Sequence, residues 1–268
     1  MTKRELGVIG AGNMAEALLR GALSANVIGH NAVVASDPQF ARRQLFTSEL
    51  GITCVEDNAI PATCRRVLLA VKPQVMAEVL EGIAEVVRPE ATVISIAAGV
   101  RTEFIHGKLR GKGRIVRVMP NTPMLVGAGI SALCKGPGAA DADLAWAERL
   151  LAACGKTVRV DEPMIDVVTA VSGSGPAYFF YLIEAMAAAA AAEGMERDTA
   201  LQLAVQTCLG AAKLLLSTAE SPEVLRAKVT SPGGTTQAAI ESMESAGVRD
   251  ALIAAVRRAA ERSREMGR

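Results

Sequence analysis

The sequence predicts an α/β protein in two parts: an N-terminal Rossmann domain with a doubly wound, mainly parallel sheet, then an all-α domain. Three observations predict it. Short apolar runs alternate with helical stretches from Glu5 to about Val160, the pattern of strands joined by crossover helices. A glycine-rich turn containing Gly10 and Gly12 follows the first of those runs. Beyond Val160 the patterns read as helices alone.

Taken in order, strands are expected at residues 6–9, 32–35, 67–71, 92–96, 115–119 and 129–133, with helices at 14–23, 40–50, 75–87 and 143–153 between and after them. From Asp161 onward, helix stops are read at Gly194, Ser221-Pro222, the turn at 231–234 and Gly247. The boundary is therefore placed near residue 160, with domains at 1–160 and 161–268. Residues 176–192 are apolar enough to raise the question of a membrane span, but Glu184 interrupts a run that is already short for one, so a buried helix is expected. Its alanines, Ala187 to Ala192, favour helix and allow another helix close approach. Helices with so little polar face in so short a domain are expected to complete their core against a second subunit.

Composition bounds the function. A chain of 268 residues that is half hydrophobic, 21% charged and of net charge +1 suits a soluble globule of two domains. Lys and Arg are dispersed, and two Tyr, one Trp and five Phe are too few to interleave with a basic stripe, which argues against nucleic acid. Met1-Thr2-Lys3-Arg4-Glu5 runs straight into a strand with no apolar signal region, so a cytoplasmic location is expected. Cys54, Cys64, Cys134, Cys154 and Cys208 are scattered and odd in number, which fits reduced thiols better than disulfides or a zinc site. With only His30 and His106 available, neither a His-based metal site nor a Ser-His-Asp triad is expected.

Leu6-Gly7-Val8-Ile9 followed by Gly10-Ala11-Gly12-Asn13-Met14-Ala15 reads as strand, turn and helix with a small residue in the third glycine position. Gly10 permits the tight turn, Gly12 lets backbone approach a pyrophosphate, and Ala15 allows close helix–sheet packing. The helix N-terminus then offers N–H groups to the phosphates. The second strand ends near Ala35 and Ser36, where an acid would bind a ribose 2′-hydroxyl; instead Ser36 suits a 2′-phosphate, with Arg42 and Arg43 on the next helix. NADPH is favoured over NADH. Asp37-Pro38, one place late, also reads as a simple cap for the helix beginning near Phe40, which would leave the arginines solvated.

Near the chain's end, Ser231-Pro232-Gly233-Gly234-Thr235-Thr236 combines an N-cap serine, a first-turn proline and a helix continuing over 237–245. Two glycines weaken a helix start, and their bare N–H groups suit an anion such as a substrate carboxylate. A plain capped helix start is the other reading.

That segment, together with Ala70-Val71-Lys72-Pro73-Gln74 and Val171-Ser172-Gly173-Ser174-Gly175-Pro176-Ala177-Tyr178-Phe179, closely resembles pyrroline-5-carboxylate reductase. The match in order and spacing covers essentially the whole chain, and the segment 230–236 is its most specific mark. The resemblance implies a helical dimerisation and substrate-binding domain and a site that draws on both domains and both subunits of a homo-oligomer. It places the cofactor on Gly10, Gly12, Asn13 and Met14, with Ser36 and Asn58 at the adenosine end and Ala70, Val71, Lys72, Pro73, Ala97, Ala98 and Gly99 along its other side. Lys72 either approaches phosphate or contributes backbone only. Asn121, in Met119-Pro120-Asn121-Thr122-Pro123, is either a polar wall of the crevice or part of a rigid turn. Ser231, Gly233, Gly234, Thr235 and Thr236 take the substrate's carboxylate.

The implied reaction is NAD(P)H-dependent reduction of a cyclic imine to proline, with hydride delivered to C5 and a proton to nitrogen. A protonated iminium is already electrophilic, so holding the reactants in geometry and excluding water are the main tasks. Thr236 is the candidate partner of the ring nitrogen, and Ser174 sits either near the nicotinamide or simply at a helix cap. Two other functions fit the same outline: a 3-hydroxyacid dehydrogenase, which would need a lysine on the helix at 176–181 where none occurs, and a dinucleotide sensor without turnover.

Overall fold

A computed structural model describes residues 4–267. Eight strands, β1 (Leu6–Ile9), β2 (Val33–Ser36), β3 (Thr53–Val55), β4 (Arg66–Leu69), β5 (Thr92–Ser95), β6 (Arg114–Met119), β7 (Gly129–Lys135) and β8 (Gly155–Arg159), form one sheet in the order β3-β2-β1-β4-β5-β6-β7-β8. All neighbours are parallel except β6 and β7. Central strands β1, β2 and β5 are buried along their whole length, as expected of a sheet covered on both faces. The apolar runs predict six strands and pass over β3 and β8. Both lie at the sheet's edges and are partly exposed, so they lack the apolar run that betrays a central strand.

The crossover helices are α1 (Asn13–Ser24), α2 (Phe40–Ser48), α3 (Ala59–Ala62), α4 (Met76–Ile83) and α5 (Thr102–Lys108), with α6 (Asp141–Ala152) joining β7 to β8. The short α3 and α5 are additions to the helices expected from the sequence. At Gly7 a Cβ would lie 1.9 Å from the carbonyl oxygen of Pro61, so the absence of a side chain lets α3 settle directly on β1. One core forms around Leu6, Val8, Leu18, Leu19 and Leu68, and a second on the opposite face around Ile9, Val67, Leu80, Val93 and Ile105.

After β8 the chain is helical: α7 (Ile165–Val168), a π-helical turn (Thr169–Gly173), α8 (Gly175–Ala192), α9 (Arg197–Ser217), α10 (Pro222–Lys228), α11 (Thr235–Ser245) and α12 (Val248–Met266). The strands end at Arg159, yet the compact units divide between Gly173 and Ser174, and the chain from Ala259 rejoins the first unit. Packing explains the offset from residue 160. Ile165 is buried against Ala132 and Cys134 of β7, so α7 belongs to the sheet's core. Farther on, the Ser263 hydroxyl donates to Asp166 at 2.6 Å with both side chains buried, which ties the end of α12 to α7.

The second unit departs from expectation. Residues 176–192 form the expected helix, but it is not buried within the chain: Phe180 is 66% and Tyr181 76% exposed. Leu216 on α9 is 86% exposed. The helical runs Glu162–Ala192 and Arg197–Ser217 are long and apolar enough to cross a membrane by length and composition alone. An apolar face left open in a single chain calls for a cover the chain does not itself supply.

Candidate active site

Strands β1 to β6 run in one direction, so the segments that leave their carboxyl ends gather along one edge of the sheet. Gly10 follows β1, Asp37 follows β2, Asn58 lies just past β3, Ala70–Pro73 follow β4, Ala97–Gly99 follow β5, and Asn121 follows β6. The strand order reverses between β1 and β4, which is where doubly wound sheets open a ligand crevice.

The glycine turn separates two different uses of glycine. Gly10 has φ +96° and a Cβ there would lie 2.7 Å from the carbonyl oxygen of Ala70, so the fold itself requires it. Gly12 has φ −73°, and nothing lies within 4 Å of where its Cβ would be. No packing contact requires that bareness. The open cradle at the N-terminus of the 12-residue α1 fits an approaching pyrophosphate, with Asn13 exposed beside it.

Asp37 stitches this turn to β2: its Oδ2 accepts from Ala11 N at 2.8 Å and its Oδ1 from Gln39 N at 2.9 Å. It therefore closes the turn before α2 without capping the helix, whose N-cap is Gln39 with no side-chain bond, and it also locks the glycine turn, which the sequence does not reveal. Arg42 and Arg43 are not solvated. Arg42 donates to the carbonyl of Ala11 at 2.5 Å and to Glu16 at 2.7 Å, while Arg43 donates to the carbonyls of Asp37 and Pro38 and pairs with Glu56 at 3.3 Å. Burial pushes the Glu16 carboxyl up, but hydrogen bonds from Arg42 and Arg20 outweigh it and hold the group below its ordinary range.

Ser36 is fully buried, and its hydroxyl donates to Asn58 Oδ1 at 2.7 Å. That bond aims Asn58 by its carbonyl and leaves the amide N–H groups, on a half-buried side chain at the start of α3, to reach outward. Ser36 and Asn58 are thus joined at the carboxyl end of the parallel strands. Lys72 is exposed at the start of a 3-10 turn, and Ala98 is half-buried between buried Ala97 and Gly99. Gly99, with φ +73°, is covered from behind by Met266 of α12, 3.0 Å from where a Cβ would stand. Asn121 is buried and its Oδ1 accepts from Ile130 N at 2.9 Å, so its carbonyl serves the turn.

Gly173 closes the π-helical turn where a Cβ would lie 2.5 Å from the terminal methyl of Met119, which brings the Ser-Gly-Ser-Gly-Pro motif's first glycine against the end of β6. In the second unit, Ser174 occupies the N-cap position of α8 without a side-chain capping bond. The segment 230–236 corrects the expected helix start. Gly233 has φ +70°, which no helix tolerates, so α11 begins at Thr235 with Gly234 as N-cap, and Ser231-Pro232 belongs to the turn before it. Gly234 N donates to Ser231 O, and Gly233 N to Gln237 Oε1 at 2.7 Å. Thr235 and Thr236 supply the first N–H groups of the helix proper.

Burial raises Cys54 to about 11 and Cys134 to about 12, so neither is a thiolate nucleophile near neutrality.

Fold and glycine turn define an oxidoreductase-type dinucleotide-binding protein with an appended helical unit. Comparison with known proteins narrows this. Residues 5–99 match the family described as NADP oxidoreductase, coenzyme F420-dependent, and residues 162–266 match pyrroline-5-carboxylate reductase dimerisation. The chain is 43% identical to the pyrroline-5-carboxylate reductase of Methanosarcina acetivorans over the whole of both chains. Among solved structures, the pyrroline-5-carboxylate reductase of Coxiella burnetii superposes with a TM-score of 0.91 at 37% identity, covering all of both chains. The Plasmodium falciparum pyrroline carboxylate reductase, solved with NADP bound, gives 0.89 at 29% identity, again over both whole chains. The chain belongs to the pyrroline-5-carboxylate reductase family.

Proposed function

We infer that the chain is an oxidoreductase of proline biosynthesis, reducing 1-pyrroline-5-carboxylate to L-proline with NADPH. What carries the reading is the open cradle at Gly12, on the same sheet edge as Asn58, Ala70–Pro73 and Ala97–Gly99, in a chain of this family. When bound, the reduced nicotinamide supplies the hydride that C5 of the imine accepts. The chain's part is to bind, orient and shield. Gly10, Gly12, Asn13 and Met14 receive the pyrophosphate on α1, and Ser36 acts through Asn58 at the adenosine end. Residues 161–268 take the substrate and the second subunit.

The substrate carboxylate meets Ser231, Gly233, Gly234, Thr235 and Thr236, chiefly at the first N–H groups of α11, since those of Gly233 and Gly234 already have protein partners. The Thr236 hydroxyl accompanies the ring nitrogen, and Ser174 stands by the nicotinamide. A threonine hydroxyl is too weak an acid to be the proton's source, so the proton comes from solvent or is already on the substrate when it binds, with Thr236 at most relaying it. The exposed apolar faces of α8 and α9 are covered by another copy of the chain, which makes the enzyme a homo-oligomer; a cytoplasmic location and the absence of a membrane or nucleic-acid role rest on the sequence, which has no apolar signal region and disperses its Lys and Arg. A 3-hydroxyacid dehydrogenase is disfavoured because α8 carries no lysine, the next being Lys213.

A steady-state assay with 1-pyrroline-5-carboxylate and NADPH tests the reaction, and absence of turnover favours the sensor reading. Thr236→Val tests the hydroxyl: one neutral hydrogen bond is worth about 1 kcal/mol, so kcat and kcat/KM should fall together by roughly five- to tenfold. Wild-type kcat and KM in that variant would remove Thr236 from the mechanism.

A further inference from the structure

The segment between β5 and α5, residues 96–101, faces the crevice with Ala97–Gly99, yet what fixes it lies behind it. Glu162, just past the last strand, reaches back to the first residue of α5. Its Oε1 accepts from Thr102 N at 2.8 Å and its Oε2 from the Thr102 hydroxyl at 2.6 Å. The helix has no cap of its own, since Arg101 at the N-cap makes no side-chain bond, so Glu162 supplies one from a distant part of the chain. Glu162 Oε1 also accepts from Arg117 Nη1 at 3.2 Å. Arg117 is only 2% exposed in the middle of β6, and its Nε is buried without a partner.

An arginine buried to answer a half-buried carboxylate, with one nitrogen left unsatisfied, is a poor source of stability compared with apolar side chains of like volume. Its value lies in geometry: the strand's guanidinium fixes the carboxylate, and the carboxylate fixes Thr102. At the other end, Gly99 rests on Met266, and α12 is itself held by the Ser263–Asp166 bond. Only Val100 and Arg101 lie between the two attachments. Gly136 is bare where a Cβ would meet Thr102 at 2.4 Å, so the side chain that Glu162 grips is also confined from the sheet side.

We propose that Glu162, oriented by Arg117, is a positioning residue for the dinucleotide: it sets the conformation of residues 97–99 through Thr102 without touching the cofactor. The proposal rests on the assignment of Ala97, Ala98 and Gly99 to the cofactor. Three chains test it by calorimetric titration with NADP+, together with melting temperature and KM for the imine at saturating NADPH. They are the wild type, Thr102→Val and Glu162→Gln. Thr102→Val keeps the shape, removes one of the two bonds and leaves Arg117 its carboxylate, so it folds even if Glu162→Gln does not. Expected is a Kd for NADP+ raised about fivefold by Thr102→Val, consistent with one lost hydrogen bond, with KM for the imine unchanged. Glu162→Gln should raise Kd further, and adding Thr102→Val to it should change little. A lowered melting temperature with Kd within about twofold of wild type in Thr102→Val would make the cluster purely structural and overturn the proposal. A wild-type chain that does not bind NADP+ at all would instead overturn the cofactor assignment on which it stands.

Discussion

The two glycines of the nucleotide turn should respond oppositely to the same substitution. At Gly12 the backbone is extended, with φ −73° and ψ 177°, and no atom lies within 4 Å of where a Cβ would stand. Alanine there withdraws freedom from the unfolded chain worth about 0.4–1 kcal/mol. As an N-cap it is poorer than glycine by roughly the same amount, so the two effects offset. Melting should stay within about 2 °C of wild type for a chain of this size. Binding should not be spared, because the methyl group occupies the cradle: Kd for NADP+ should rise at least about tenfold, or 1.4 kcal/mol. At Gly10 the terms reverse. With φ +96° and the Ala70 carbonyl oxygen 2.7 Å from the new Cβ, alanine incurs roughly 1–3 kcal/mol of backbone strain, a fall of about 3–10 °C. Scanning calorimetry of both variants with and without NADP+, and titration of Gly12→Ala, measure the two quantities. A Gly12→Ala chain that binds NADP+ as wild type does would show that no pyrophosphate approaches α1, and the reasoning for the crevice would fail.

Ser36→Asp introduces a carboxylate beside Asn58 at a buried strand end, and its repulsion of a 2′-phosphate should reduce kcat/KM for NADPH more than for NADH. Equal losses with both cofactors would dissociate Ser36 and Asn58 from the choice. Light scattering should give a multiple of the 27.9 kDa chain mass, because the exposed faces of α8 and α9 demand a cover; a folded, active species of one chain mass refutes the homo-oligomer. Glu16 has a folded-state carboxyl held below its ordinary value of 4.5 by Arg42 and Arg20 against the upward push of burial. Its stabilising contribution is therefore complete above that value and is lost as pH falls through the depressed one. The difference in melting temperature between wild type and Glu16→Gln should shrink steadily below pH 4.5, and a difference that does not change with acid would show that the ion pairs add nothing.

The sequence by itself determined the elements whose physics is local. Short, mainly apolar runs such as 6–9 or 67–71, set between turns and helical stretches, read as buried strands, a Gly-x-Gly turn between strand and helix announces the nucleotide site, and helical periodicity after Asp161 argues against further strands. The motifs at 70–74, 171–179 and 230–236 identify the family for the same reason: they are contiguous. What only the tertiary structure decided involves partners far apart in the chain. Edge strands β3 and β8 are specified by a neighbour's unpaired backbone more than by their own side chains. Asp37 reads locally as a helix cap, whereas it bonds the turn N–H of Gln39 and Ala11 N, 26 residues away. That Ser36 is buried and that its proton goes to Asn58, 22 residues on, is likewise invisible in the local sequence. Ser231-Pro232 reads as a helix start because N-cap and first-turn preferences say so, and the left-handed backbone at Gly233 overrules them. Glu162 and Arg117 carry no local signal at all, since a carboxylate after a strand and an arginine within one are commonplace until the sheet buries the arginine and leaves the carboxylate to answer it.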